Sequence, residues 1–195
     1  DVNHILPING RSFADYLASR PGQLRTTLKR KAKKVDTEII NQFNGDAWSI
    51  YENIYMKSWK SAESDPAMLR RFAQAEGDAG RIRFAIAHHE GKPIGAQFWT
   101  VENGTAFIHK LTHLEEFQSL SPGTILTAAL MEEVIDRDHV SLVDFGTGDD
   151  PYKRDWMDAV RMRFMLDCYD PRNPRSWPHL GREALSGLAS GGRDG

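Results

Sequence analysis

The sequence predicts an α/β fold of the α+β type, with one mixed, mostly antiparallel sheet flanked by helices on both faces. Two observations carry this expectation. Between residues 81 and 113, three runs alternate apolar and polar side chains and are separated by glycine-bearing connections. On either side of that block, apolar residues recur at helical spacing, before residue 76 and again over residues 121–136. The composition permits such a core. Hydrophobic residues make up 40 % and aromatic residues 10 % of the 195, enough for a domain that buries much of its apolar surface. The formal net charge of −2 leaves no basic surplus of the kind that binds DNA.

Each element has its own signal. Residues 12–35 read as two helical pieces broken at Pro21-Gly22, with Leu24, Leu28 and Ala32 on one stripe. Arg25, Lys29, Arg30, Lys31, Lys33 and Lys34 cover the remainder, as a solvated face or as an electropositive rim that attracts an anion such as a phosphate. Residues 46–60 place Trp48, Tyr51, Ile54, Tyr55 and Trp59 at helical spacing, an aromatic core stripe. Met68, Leu69 and Phe72 mark a further helix over 66–75, closed by Gly77 and Gly80. The runs 81–89, 94–101 and 105–113 form an antiparallel meander. A long helix over 121–136 and a short buried strand over 140–145 follow. The pattern then predicts a short helix over 155–161 and a last strand over 163–169. In that strand Cys168 is a buried small residue and not a nucleophile. From Asp170 the tail is rich in Pro, Arg, Gly and Ser, which reads as loop and frayed terminus.

Two stretches carry chemistry. In "QSLSPGTIL", Ser119 or Ser121 is placed to cap a helix whose first turn holds Pro122, and Gly123 lets a ligand approach the backbone. A helix start of this kind offers free N–H groups to a phosphate or pyrophosphate; the plainer reading is an ordinary cap. In "DFGTGDDPYK", Gly146 and Gly148 end a strand, Asp149, Asp150 and Pro151 turn the chain, and Tyr152 and Lys153 open a helix. A lysine there binds an anion or steadies an oxyanion, and a carboxylate there accepts a proton. Lys110, among core-like neighbours in a central strand, is expected to line a cleft. The four histidines His88, His89, His109 and His113 have no companions at a familiar metal spacing, so no metal is expected. Signatures of P-loop phosphotransfer, triad hydrolysis and zincin chemistry are missing from the sequence. A single cysteine excludes an internal disulfide and fits a reducing compartment. No apolar run is long enough for a membrane span.

Lys110, "LSPGTIL", "DFGTGDDPYK" and the upstream "SWK" at 58–60 together resemble the GNAT-type acyltransferase domain of the CelD/cellulose-biosynthesis acetyltransferase family, which is related to the FemAB aminoacyltransferases. The resemblance implies a GNAT fold, with a V-splayed sheet that takes acetyl-CoA or another acyl-CoA in the splay. On that reading Gln118, Ser119, Leu120, Ser121, Pro122, Gly123 and Thr124 hold the CoA pyrophosphate. Lys153, Asp149, Asp144 and Lys110 are the catalytic candidates: Lys153 at the acyl carbonyl, Asp149 or Asp144 as base, and Lys110 on an acceptor carboxylate or phosphate. Trp59, Gln97 and Tyr152 are expected to contact the acceptor. The implied reaction is acyl transfer to an amine or hydroxyl of a sugar, a polysaccharide precursor or another small metabolite, in the cytoplasm. The alternatives are a FemAB-like aminoacyl transferase fed by aminoacyl-tRNA and a non-catalytic ligand-binding half-domain. The implied domains are a helical extension or linker over 1–35, the GNAT-like domain over 36–172 and a tail over 173–195. A second GNAT-like half or a second copy of the chain is the implied macromolecular partner.

Overall fold

The structure is a computed structural model, and it describes residues 1–182. The described residues fall into two compact units, Asp1–Met162 and a second that begins at Arg163.

The first unit contains a seven-stranded sheet in the order β2-β3-β4-β5-β6-β1-β7. Its strands are β1 (Val2–Pro7), β2 (Asp36–Ile40), β3 (Ile82–His89), β4 (Lys92–Glu102), β5 (Thr105–His113), β6 (Leu142–Thr147) and β7 (Ala159–Met162). All neighbours are antiparallel except β5 and β6. The expected mixed, mostly antiparallel sheet is therefore observed, and so is the central meander. Its two hairpins turn on Glu90-Gly91 and Asn103-Gly104, both pairs at positive φ. Two-residue loops of this handedness match the twist of the strands they join.

Helices cover both faces. On one face lie α2 (Gly22–Lys31) and α5 (Pro122–Glu132), where Leu24, Leu28, Ile125, Leu126 and Leu130 join a core with Ala85, Ile94 and Trp99. The short α1 (Phe13–Ala18) adds the fully buried Tyr16 to the same core. On the other face lie α3 (Gly45–Met56) and α4 (Pro66–Asp78). Their Trp48, Tyr51, Ile54, Leu69 and Ala73 pack with Phe84, Ile86 and Phe98. Asn44 caps α3 by accepting from the backbone of Asp46 and Ala47, and Asp65 caps α4 by accepting from that of Met68. Trp48 meets the Phe98 ring edge-on at 5.3 Å, which makes the predicted aromatic stripe the centre of this second core.

Several expectations need correction. Residues 1–35, expected as a helical extension or linker, hold the two predicted helices and also β1, a strand between β6 and β7. The edge strand β2 was likewise not expected. The helix placed at 155–161 is α6 (Lys153–Trp156), and the last strand is β7 at Ala159–Met162 in place of 163–169. The β1–β7 ladder ends at Val2↔Met162. Residues 163–169 carry no regular secondary structure. Phe164 is 88 % exposed, and Cys168 is exposed where burial was expected. Ala32, placed on the apolar stripe, is exposed in the 3-10 turn that follows α2; Val35 is buried in its stead. In the second unit, Tyr169 stacks on His179 at 5.1 Å and Trp177 Nε1 donates to the Pro171 carbonyl.

Candidate active site

The site begins with a divergence in the sheet. β5 and β6 pair in parallel only at Thr105↔Leu142, Ala106↔Val143 and Phe107↔Asp144. From Ile108 onward the two strands part. A cleft of about 570 Å³ lies at this opening. One wall is the far half of β5, with Leu111 and His113. Another is the start of α5, with Gln118, Ser121, Gly123 and Thr124. The segment after β6 supplies Asp150, Tyr152, Asp155 and Trp156, and the α3–α4 connection supplies Trp59 and Lys60. The topology thus brings the two chemistry-bearing stretches of the sequence onto one cavity.

The α5 start has the features of an anion site. Ser121 sits in the left-handed region (φ 54°) and makes no side-chain cap hydrogen bond. The Ile125 N–H is taken by the Ser121 carbonyl, while no side chain caps the N–H groups of Gly123 and Thr124 before it. Lys31, at the end of the basic α2, donates from Nζ to Ser121 Oγ at 2.7 Å. A cation therefore stands beside uncapped N–H groups at the positive end of an eleven-residue helix. Of the seven residues expected to hold the pyrophosphate, Gln118, Ser121, Gly123 and Thr124 line the cleft. Ser119 and Leu120 belong to the preceding 3-10 turn, and Pro122 is buried against Gly95.

The expected catalytic residues are dispersed. Lys153 is 4 % exposed. Its Nζ donates to the carbonyls of Thr147 (2.6 Å) and Gly148 (3.3 Å) and lies 3.8 Å from Asp150. It pins the loop that follows β6. Asp144 is buried and accepts from the Gly146 backbone, from Asn3 Nδ2 and from Arg161. Asp149 accepts from Arg154 and pairs with the buried His4 on β1. Arg154, and after it His4, hold its carboxyl below the usual carboxylate range, which makes it a poor proton acceptor. Neither Asp144 nor Asp149 lines the cleft. Lys110 forms an ion pair with Glu63. Among the expected acceptor contacts, Trp59 and Tyr152 line the cleft. Gln97 is buried between β4 and α5, where its Oε1 accepts from Thr127 Oγ1 at 3.2 Å.

Two residues not singled out for this site stand at its centre. His113 packs its ring 4.3 Å from that of Trp59, and burial pulls its imidazole below the ordinary histidine range. The side chain is therefore neutral near pH 7 and able to accept a proton. Its sequence signal, a histidine at the end of an alternating strand beside the "SPGT" turn, was weighed only for a metal. Among the described residues, no group of three or more His, Cys, Asp or Glu side chains is arranged to hold one. Lys60 is half-buried; burial, and then the neighbouring Lys110, pull its ammonium below the usual lysine range. Lys60 also lines a second cavity, of about 500 Å³, formed by α3 and the α3–α4 connection.

A family model described as an acetyltransferase (GNAT) domain matches residues 20–154. The structure is similar to that of FemX, with a TM-score of 0.67 at 12 % identity, covering 82 % of this chain and 59 % of that one. It is similar to the C-terminal domain (DUF2156) of a putative lysylphosphatidylglycerol synthetase from Agrobacterium fabrum, with a TM-score of 0.54 at 13 % identity over 74 % of this chain and 46 % of that one. It is also similar to AAC(6')-Iy in complex with a bisubstrate analogue, CoA-S-monomethyl-acetylneamine. There the TM-score is 0.51 at 13 % identity, over 69 % of this chain and 99 % of that one. The chain thus spans less than two thirds of the FemX chain. No curated protein matches the sequence. No helix among the described residues is long and apolar enough to cross a membrane.

Proposed function

The chain belongs to the GNAT acetyltransferase domain family, and from that premise we propose that it transfers an acetyl or other acyl group from acyl-CoA to an amine of a small acceptor. The observation that carries this reading is the α5 start at the mouth of the β5–β6 divergence. Uncapped N–H groups and Lys31 meet there, beside the stretch of β5 that pairs with β4 but no longer with β6. The pyrophosphate takes the N–H groups of Gly123 and Thr124 together with the Lys31 ammonium. The amide-rich acyl arm lies along β5 beyond Phe107, on the edge away from β4, where pairing with β6 has ended. A neutral amine attacks the thioester carbonyl within the cleft. His113, neutral in its buried setting, accepts the proton that the amine sheds. Lys153 acts here by holding the 147–150 loop and not by touching the acyl group.

The motifs around 120–126 and 144–153 support a CelD-like reading, which implies an amino sugar or another precursor of a polysaccharide as one class of acceptor. A second GNAT-like half as partner belongs to the same reading. The basic face of α2 favours one further reading, an aminoacyl-tRNA donor, since phosphate contacts of that kind make binding strongly salt-dependent.

Calorimetric titration with acetyl-CoA tests the proposal. The native chain binds it, and Lys31→Glu weakens binding by about tenfold or more, because the charge next to the pyrophosphate is reversed. Lys31 is the better probe than Gly123, where a new Cβ would also press on Leu111 Cδ2 at 3.2 Å. Equal affinity in native and Lys31→Glu proteins overturns the pyrophosphate assignment. Heat with charged tRNA alone replaces the donor.

A further inference from the structure

The second cavity has a composition of its own. Its walls are Trp48, Tyr51, Tyr55, Pro66 and Leu69, mostly apolar surface. Its size, about 500 Å³, is that of a small-molecule site. Its carboxylates are already engaged: Glu52 accepts from Trp48 Nε1 and Arg70, and Glu63 from Lys110. Two polar groups remain. The Tyr51 hydroxyl is buried without a hydrogen-bond partner. It lies within electrostatic reach of Tyr55, Glu63 and Glu52, which all line the cavity. Lys60 Nζ makes no hydrogen bond or ion pair among the described residues and sits 5.7 Å from the Trp59 ring centroid. Two ammonium groups, Lys60 and Lys110, face the carboxylate of Glu63 there, with Asp150 as the next anion near Lys60.

We propose that this cavity selects the acceptor, and that the acceptor is an α-amino acid with an apolar or aromatic side chain, held by its carboxylate at Lys60. This rests on the acyl-transfer reading of the adjoining cleft. Lys60 lines both cavities. A carboxylate bound to it leaves the α-amino group one carbon away at the passage, and the side chain enters the aromatic pocket. An amino sugar suits the pocket less well. Several hydroxyls would be buried against apolar walls whose carboxylates are already engaged, and a buried hydroxyl without a partner is costly. In the transfer, the amine nitrogen bonds to the acyl carbon and the carbon–sulfur bond breaks. The amine's proton ends on the departing sulfur, giving an N-acyl amino acid and free CoA thiol. Lys60 is a positioning residue in this scheme.

The test uses the full chain and three probes: L-phenylalanine, phenethylamine (the same molecule without its carboxylate) and glucosamine. Calorimetry is expected to show phenylalanine binding, phenethylamine at least tenfold weaker and glucosamine weaker still. Lys60→Met, at a half-exposed position, should abolish the preference for phenylalanine over phenethylamine, a loss of at least the tenfold that separates the two in the native chain. With acetyl-CoA present, mass spectrometry should find N-acetylphenylalanine. Equal binding of phenylalanine and phenethylamine, glucosamine as the preferred ligand, no phenylalanine binding by folded native chain, or a Lys60→Met defect confined to acetyl-CoA each overturns the proposal. So does binding of both partners without product. Acetyl-CoA binding alone, titrated separately, reports on the donor reading, so the two failures are told apart.

Discussion

At the scale of single residues, Lys153 shows how a sound chemical expectation can miss its place. A lysine after a glycine-broken strand end is a reasonable oxyanion donor, and the sequence offers nothing against it. In the structure its three N–H bonds are directed to the Thr147 and Gly148 carbonyls and toward Asp150. Lys153→Met keeps the methylene stem but removes the donor from two carbonyls around a buried ammonium. The expected result is a loss of about 1–3 kcal/mol of stability, read as a lower denaturant midpoint at unchanged slope. A variant as stable as the native chain would mean that the ammonium is not the loop's pin. His113 and Lys60 went unassigned for the opposite reason. One histidine and one lysine have many bland uses, and only the cavity walls single these two out.

Among the elements, α4 is a case in which local propensity and packing disagree. Gly77 lies within this helix, and an interior glycine ordinarily costs about 1 kcal/mol relative to alanine. A Cβ added at Gly77, however, would stand 2.4 Å from Phe43 Cβ and 2.7 Å from the Phe43 backbone nitrogen. Backbone cannot swing aside as a side-chain tip does. The crowding therefore outweighs the propensity gain, and Gly77→Ala is expected to destabilise by about 1–3 kcal/mol. Thermal unfolding measures this; a raised melting temperature would show that the loop before α3 yields freely. The sequence offered Gly77 as a helix terminator, but the helix runs to Asp78 and the left-handed Gly80 follows it. The reason for Gly77 is a neighbour 34 positions earlier.

For the molecule as a whole, β1 decides the arrangement beyond β6. It pairs with β6 on one side and β7 on the other, and its Leu6 is fully buried. Its neighbours in sequence hide it: Asn3 and His4 interrupt the apolar pattern. Both are nonetheless buried: Asp144 accepts from Asn3 Nδ2 and Asp149 pairs with His4, 141 and 145 positions away, while Asn3 Oδ1 has no hydrogen-bond partner among the described residues. Buried polar groups are tolerated when partnered. Removing residues 1–8 leaves β7 without a ladder and Asp144 without one of its donors. Such a truncated chain is expected to lose cooperative unfolding by circular dichroism. Retention of a native-like transition would mean that β7 and β1 are appendages.

By itself the sequence determined the principal helices, the meander and the aromatic core stripe, because period and turn residues are local. It also pointed to "SPGT" as an anion-binding turn, since a helix start declares its own free N–H groups. Only the tertiary structure decided which side chains meet. Lys31 stands 90 positions from Ser121, Glu63 47 from Lys110, and His4 reaches Asp149 across the sheet. Burial and charge pairing are properties of those distant encounters. That is why the sequence could not show that Lys153, Asp149 and Asp144 are tied to loop carbonyls, Arg154 and Asn3, or that His113 and Lys60 line the cleft beside the expected residues.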